Sequence, residues 1–288
     1  MKNKYLKIFE LLISIAVSLG FIYIFYKIIG FKTFLKFLKE VSVINVLIAF
    51  FIYTLSYITR TYRWKITLSI KEFKKLFKLT VYNTVFNIFL PFRTGELSFF
   101  YMLKKENVPI KDSALSFFTV RIFDALSLGT VFLVSLFLYK GLILYAGLFF
   151  LISPLIFYIL KYLTGFIKND KFQKFHSEVL SLKNLLILYF LSILTYILKF
   201  TSFYFVLPKN INLSFIENFF ASASGDLTTI LPIHGLAGIG TYEAGYIGIL
   251  VFLGVDKETA ILSSVFVHIF ILTSSALLSL LCYLLLRK

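Results

Sequence analysis

A single cysteine, Cys282, stands among 288 residues, so no intramolecular disulfide can form and no thiolate metal site can be assembled. The three histidines, His176, His234 and His268, are scattered. None of the spacings that bring two imidazoles to one zinc ion occurs, and no metal or other cofactor is expected. A phosphate-cradling G-x-x-x-x-G-K-[ST] loop is missing as well, so the chain has no motif for burning ATP itself. Carboxylates are few, 14 in all, and charged residues make up only 15% of the chain. That is too little polar surface for a soluble domain of this length. Proline is rare, with five residues, yet Leu90-Pro91 and Leu231-Pro232 stand inside apolar runs.

What fills the chain is apolar. Hydrophobic residues reach 59% and the mean hydropathy is +0.89, the composition of an integral membrane protein. Runs long enough to cross a bilayer, roughly 20 residues each, lie at Ile8–Ile29, Val43–Thr59, Asp112–Tyr139, Leu142–Leu163, Leu185–Leu207 and Thr259–Leu286. The first has a basic start but is too long for a signal peptide and is read as an uncleaved span. Phe31–Val41, with Lys32, Lys36 and Lys39 among phenylalanines and leucines, reads as a short amphipathic helix in the membrane interface, and Phe166–Lys183 as a candidate second one.

Two further apolar segments are interrupted. Leu90-Pro91-Phe92-Arg93-Thr94-Gly95-Glu96 and the longer Leu231-Pro232-Ile233-His234-Gly235-Leu236-Ala237-Gly238-Ile239-Gly240-Thr241-Tyr242-Glu243 both run from Leu-Pro through glycine to glutamate. Proline removes a backbone donor and glycine loosens the helix, so Pro91, Gly95, Pro232, Gly235, Gly238 and Gly240 are read as hinge positions. Broken backbone at membrane depth is tolerated only inside protein or beside a watery cavity. Overlaying the two breaks also aligns Val120-Arg121-Ile122-Phe123 with Val267-His268-Ile269-Phe270. The expectation is therefore an all-α polytopic membrane protein: six full transmembrane helices and two re-entrant helical hairpins in two inverted repeats, 1–140 and 141–288, within one membrane domain. That arrangement puts twenty of the thirty basic residues on the cytoplasmic side, together with both termini, whereas eight full crossings would scatter them. The formal charge of +16 is read as this positive-inside bias and as attraction to anionic lipid, and no nucleic-acid partner is expected.

Polar groups at membrane depth supply the candidate site. Thr80, Asn83, Thr84 and Asn87 share one helical face, as do Ser222, Gly225, Asp226 and Thr229. Either stripe serves helix packing or lines a polar cavity. Arg121 and Asp124 stand one turn apart, about 15 Å into their helix at 1.5 Å per residue. They read either as a neutral structural pair or as an arginine fork, held by the aspartate, for a headgroup phosphate. Arg93, Glu96 and Glu243 complete the charged set, while Arg60, Arg63 and Trp64 read as an anchor at the membrane interface.

Arg60-x-x-Arg63-Trp64, Pro91-x-Arg93-x-Gly95-Glu96, Arg121-x-x-Asp124 and Pro232 through Gly235, Gly238, Gly240 and Glu243 together resemble the lysylphosphatidylglycerol synthase transmembrane region family. Its best-known relatives form the flippase part of the multiple peptide resistance factor. The resemblance implies a lipid-translocating membrane domain of two inverted repeats with re-entrant helices. Two departures stand out. Val120 occupies a position where the family often has glutamate, and the soluble acyltransferase domain of the synthase relatives has no counterpart before Lys288. The chain is accordingly not expected to make an aminoacylated lipid by itself.

The functional expectation is a flippase in the cell (cytoplasmic or inner) membrane, moving a polar or charged phospholipid between leaflets through a cavity between the two hairpins. Its partners are membrane lipids; a second copy of the chain or a separate lipid-modifying enzyme is left open. The rival from another class is a membrane-embedded enzyme acting on a lipid-linked phosphate or sugar through Glu96 or Glu243. No nucleophile paired with a base supports it, and an accessory protein without transport is the third reading.

Overall fold

The computed structural model describes residues 2–90, 94–165, 173, 175, 177, 179–229 and 235–286. All regular structure among them is helical. The helices are α1 (Lys2–Ile28), α2 (Gly30–Lys39), α3 (Val43–Thr67), α4 (Phe73–Phe89), α5 (Glu96–Lys105), α6 (Ile110–Tyr139), α7 (Ile143–Ile152), α8 (Leu155–Thr164), α9 (Leu182–Phe205), α10 (Phe215–Thr228), α11 (Thr241–Phe252) and α12 (Lys257–Leu285), with a 3-10 turn at Leu236–Gly238. Six stretches are long and apolar enough to cross a membrane: α1, α3, α6, α7 with α8, α9 and α12. They coincide with the six runs expected from sequence. The polytopic helical class therefore stands.

Two boundaries differ for physical reasons. Helix α3 continues past Thr59 to Thr67, because the charge of Arg63 is neutralised inside the protein and Trp64 is buried rather than at an interface. The fourth stretch is two helices, not one. At Pro154 the ring removes a helical donor, and the Ser153 hydroxyl, bonded to the Phe150 carbonyl and the Tyr189 hydroxyl, occupies the gap. Finally, α2 is confirmed as a short helix without a buried residue. The proposed second amphipathic segment, Phe166–Lys183, lies mostly outside the described residues.

The chain divides into two compact units, each drawing on both halves of the sequence. The first comprises residues 1–54, 81–98 and 199–288; the second comprises 55–80 and 99–198. In the first, the Tyr53 ring meets Phe270 edge-on at 5.5 Å and its hydroxyl bonds Ser275 at 3.0 Å. In the second, Trp64 lies 4.6 Å from Phe99 within a buried cluster that includes Leu68, Leu76, Leu103, Phe117 and Val120. Around that cluster, hydroxyls join helices: Thr59 with Thr195 at 2.7 Å, and Ser116 donating to Thr67 at 2.6 Å. Such bonds contribute about 0.6 to 2 kcal/mol each where no water competes.

Both breaks fall in the first unit. Helices α10 and α11 run antiparallel: Tyr246 donates to Asn218 at 2.7 Å and, at the other end, Thr228 donates to the Thr241 carbonyl at 2.8 Å. Small residues allow this approach, since a Cβ on Gly245 would come within 2.6 Å of the Ser224 carbonyl. At the first break Gly95 sits directly on the backbone of Phe86 and Asn87, where a Cβ would be 2.2 Å from the Phe86 carbonyl carbon. Only glycine lets the chain fold back so tightly.

Candidate functional site

In the second unit, Arg63 projects from α3 into the interior with 3% of its side chain exposed and forms an ion pair with Asp124 of α6. The same guanidinium donates to the Ser192 hydroxyl of α9 at 2.8 Å. Arg121, the partner expected from its i, i+3 spacing, stands farther off, at 3.8 Å from the other Asp124 oxygen. Its guanidinium lies 5.1 Å from the Phe117 ring centre, a placement in which cation and ring attract. Arg60 is near enough to act on the same carboxylate through space, and packs 5.7 Å from the Tyr57 ring. Three guanidiniums thus surround one carboxylate. Within this unit α3, α6 and α9 carry no other Asp or Glu except Asp112 in the first turn of α6.

The reading of Arg60, Arg63 and Trp64 as an interface anchor is corrected for two of the three. Arg63 and Trp64 are interior residues, 3% and 7% exposed, and only Arg60 is partly exposed. The sequence signal was available in the i, i+3 placing of Arg60 and Arg63, which puts two cations on one face of a span. What it lacked was the knowledge that this face meets α6.

The first unit holds two further charge pairs. Lys199 of α9 meets Asp226 of α10 at 2.5 Å, both nearly buried. Glu243, in the first turn of α11, accepts from the Gly240 amide at 2.7 Å through one oxygen and contacts His268 Nδ1 of α12 at 2.5 Å through the other. The opposite ring nitrogen, Nε2, lies 3.0 Å from the Ala237 carbonyl. Tyr242 stands between the two pairs, over Gly225 and 5.2 Å from the imidazole. Ser18 of α1 closes the far side: its hydroxyl accepts from the Leu236 amide at 2.8 Å and donates to the Ile239 carbonyl at 3.3 Å. The hinge glycines lie along this loop, Gly238 and Gly240 with φ of +81° and +87°, which a side chain would strain. Gly235 is buried, its amide bonded to the Thr241 hydroxyl.

At the first break, Asn87 donates to Asn83 at 3.3 Å, and the Asn83 amide reaches Gly95 and Ser98 at 3.5 and 3.4 Å. These asparagines tie the break together. Glu96 opens α5, where the helix dipole favours a carboxylate. Pro91, Arg93, Pro232 and His234 lie outside the described residues.

The expected set is therefore separated. Arg60, Arg63, Arg121 and Asp124 come together in one unit, while Asp226 and Glu243 belong to the second break and Asn83, Asn87, Gly95 and Glu96 to the first, in the other unit. Lys199, His268 and Ser18 were not in the expected set. The first two could have been found as the basic side chains best placed to meet Asp226 and Glu243 in otherwise apolar helices. Ser18 has no such signal. Among the described residues no group of three His, Cys, Asp or Glu side chains could hold a metal ion.

Helices of membrane-spanning length, two broken pairs and charges buried among apolar side chains define a polytopic membrane protein with a polar interior. The sequence profile described as Lysylphosphatidylglycerol synthase TM region matches residues 11–279. The chain belongs to that family, which ties it to membrane lipids. Neither curated proteins nor solved structures give a significant match.

Proposed function

We propose that this protein moves a lipid with a phosphate-bearing headgroup between the leaflets of the cell membrane and leaves it chemically unchanged. The observation that carries this reading is the gathering of Arg60, Arg63 and Arg121 around Asp124. A planar guanidinium binds phosphate oxygens in pairs. Intramembrane charge of this kind is costly and marks pathways more often than scaffolding. Asp124 holds Arg63, and Arg60 and Arg121 stand partly exposed, where they meet the headgroup.

The two breaks serve as re-entrant hairpins of an inverted repeat, with both termini cytoplasmic. In support, the order of span, span, broken pair and span recurs in the two halves of the chain, and the basic residues favour this topology over eight crossings. Both breaks fall in one unit, as a path lined by two hairpins requires. Transport is driven by a gradient, the membrane potential or mass action.

The test is transfer of a labelled anionic phospholipid across liposomes containing the purified protein. The protein should accelerate transfer without changing the lipid's mass, and Arg121→Gln should slow it while the fold is kept. A lipid of altered mass would favour the enzyme reading instead. Single cysteines near Lys75 and Lys105, in a Cys282→Ser background, should both label from the cytoplasmic side. Labelling from opposite sides would end the re-entrant reading.

A further inference from the structure

We infer that Glu243 and His268 form a proton-binding site whose proton locks the second break to α12. The inference rests on the translocation reading for its consequence but not for its chemistry. A backbone carbonyl only accepts, so the 3.0 Å contact between His268 Nε2 and the Ala237 carbonyl requires a hydrogen on Nε2. The tautomer is thereby fixed. The 2.5 Å contact between Nδ1 and the Glu243 carboxyl then needs one more proton, carried either by the imidazole or by the carboxyl. The second carboxyl oxygen is occupied by the Gly240 amide at 2.7 Å.

Removing the shared proton leaves two choices. If Nε2 keeps its hydrogen, two lone pairs face each other across the Glu243 contact. If the hydrogen moves to Nδ1, the Ala237 carbonyl loses its donor. Either way one of the two bonds joining α12 to the break is lost. A second added proton is excluded from the contact for the complementary reason, since Nδ1 and the facing oxygen would both carry hydrogen or the Gly240 bond would be disturbed. The closed arrangement therefore corresponds to one proton count.

The loop it holds is under strain. Ala237 has a φ of +52°, a left-handed conformation unfavourable for a side chain bearing a Cβ, and its carbonyl is the one fixed by His268. Ser18 clamps the same loop from α1. The pair also lines a crevice of about 160 Å³ walled by Phe21, Phe25, Ile239, Ile269 and Leu272, so the proton is at the edge of the interior rather than sealed within it. Other titratable groups close by are Tyr242 and Tyr246 on α11, and Asp226 of α10, which is matched by Lys199 of α9. From α1 the facing residues are Ser18 and phenylalanines.

The direct experiment is 15N NMR of labelled histidine in the full chain bearing His176→Gln and His234→Gln, from about pH 5 to about pH 8, the range in which imidazole titrates. The expected result is an Nε2 that is protonated at the acidic end of the range and a ring spectrum that changes as the shared proton leaves, either at Nδ1 or by transfer of the hydrogen from Nε2 to Nδ1. An Nε2 unprotonated at the acidic end, or a ring spectrum that does not change across the range, overturns the proposal. In liposomes, wild-type translocation should speed up as pH rises through the same interval, and His268→Gln should translocate with that pH dependence lost. An unchanged pH profile in His268→Gln overturns the lock. If the NMR pattern is as expected while wild-type liposomes behave like empty ones, the proton site stands and the translocation reading fails.

Discussion

In the first unit, Lys199 faces Asp226 and His268 faces Glu243, one basic side chain to one carboxyl group, whereas in the second, three guanidiniums gather around Asp124. The two units also differ in bulk charge. The second holds 17 of the 30 Lys and Arg but only 6 of the 14 Asp and Glu. Matched pairs sit where the backbone is broken, and each pins a hairpin helix to a neighbouring span. The arginine group sits in continuous helices, α3 and α6, where no break needs pinning. Buried charge in this molecule thus does two jobs: it holds irregular backbone in one unit and offers a cationic surface in the other.

The largest expected effect comes from breaking a pair on each side of that comparison. Asp124→Asn strands Arg63 and should cost about 3–5 kcal/mol of stability, as should Asp226→Asn by stranding Lys199. In thermal unfolding in detergent, the doubles Arg63→Gln with Asp124→Asn and Lys199→Met with Asp226→Asn should recover most of the loss. Their transport should differ. The Lys199/Asp226 double should keep translocation and the Arg63/Asp124 double should lose it; equal behaviour would erase the distinction between the two units.

A smaller effect is expected at the first break, where Gly95 packs directly on backbone. Gly95→Ala pushes a methyl into the Phe86 backbone and should cost about 1–3 kcal/mol. Unchanged unfolding would show that the chain does not double back so tightly there.

Least is expected from a charge that belongs to neither class. Asp256 caps α12, accepting from the Thr259 amide at 2.9 Å, and that bond holds its carboxyl below the ordinary range. Its folded value is depressed, so its contribution is present above an unfolded pKa of about 3.9 and is lost as pH falls through the folded value. Asp256→Ala should therefore cost about 1 kcal/mol near neutral pH and progressively less on acidification. A constant difference across pH would assign the effect to something other than the cap.

The six spans and both breaks were legible because length, apolar content and proline at membrane depth act locally along the chain. The partners of the charges were not. Spacing along α6 pointed Asp124 at Arg121, but a residue on another helix came closer, since a side chain three positions away must bend along its own helix to meet its partner while Arg63 approaches across the interface. Trp64 was misread for the same reason: aromatic and basic residues near the end of a hydrophobic run look alike whether they face lipid or another helix. His268 was visible as the counterpart of Arg121 in the overlay of the two halves, but its contact with the Ala237 carbonyl depends on a loop conformation that no periodicity encodes.

Headgroup selectivity of transfer in liposomes tests the central claim most directly. With the purified wild-type protein, a labelled phosphate-bearing lipid should cross several times faster than in empty vesicles, a labelled diacylglycerol should show no protein-dependent gain, and Arg60→Gln with Arg121→Gln should bring the first down to the empty-vesicle rate. Equal acceleration of both lipids, or wild-type transfer no faster than empty vesicles across several headgroup classes, would contradict it.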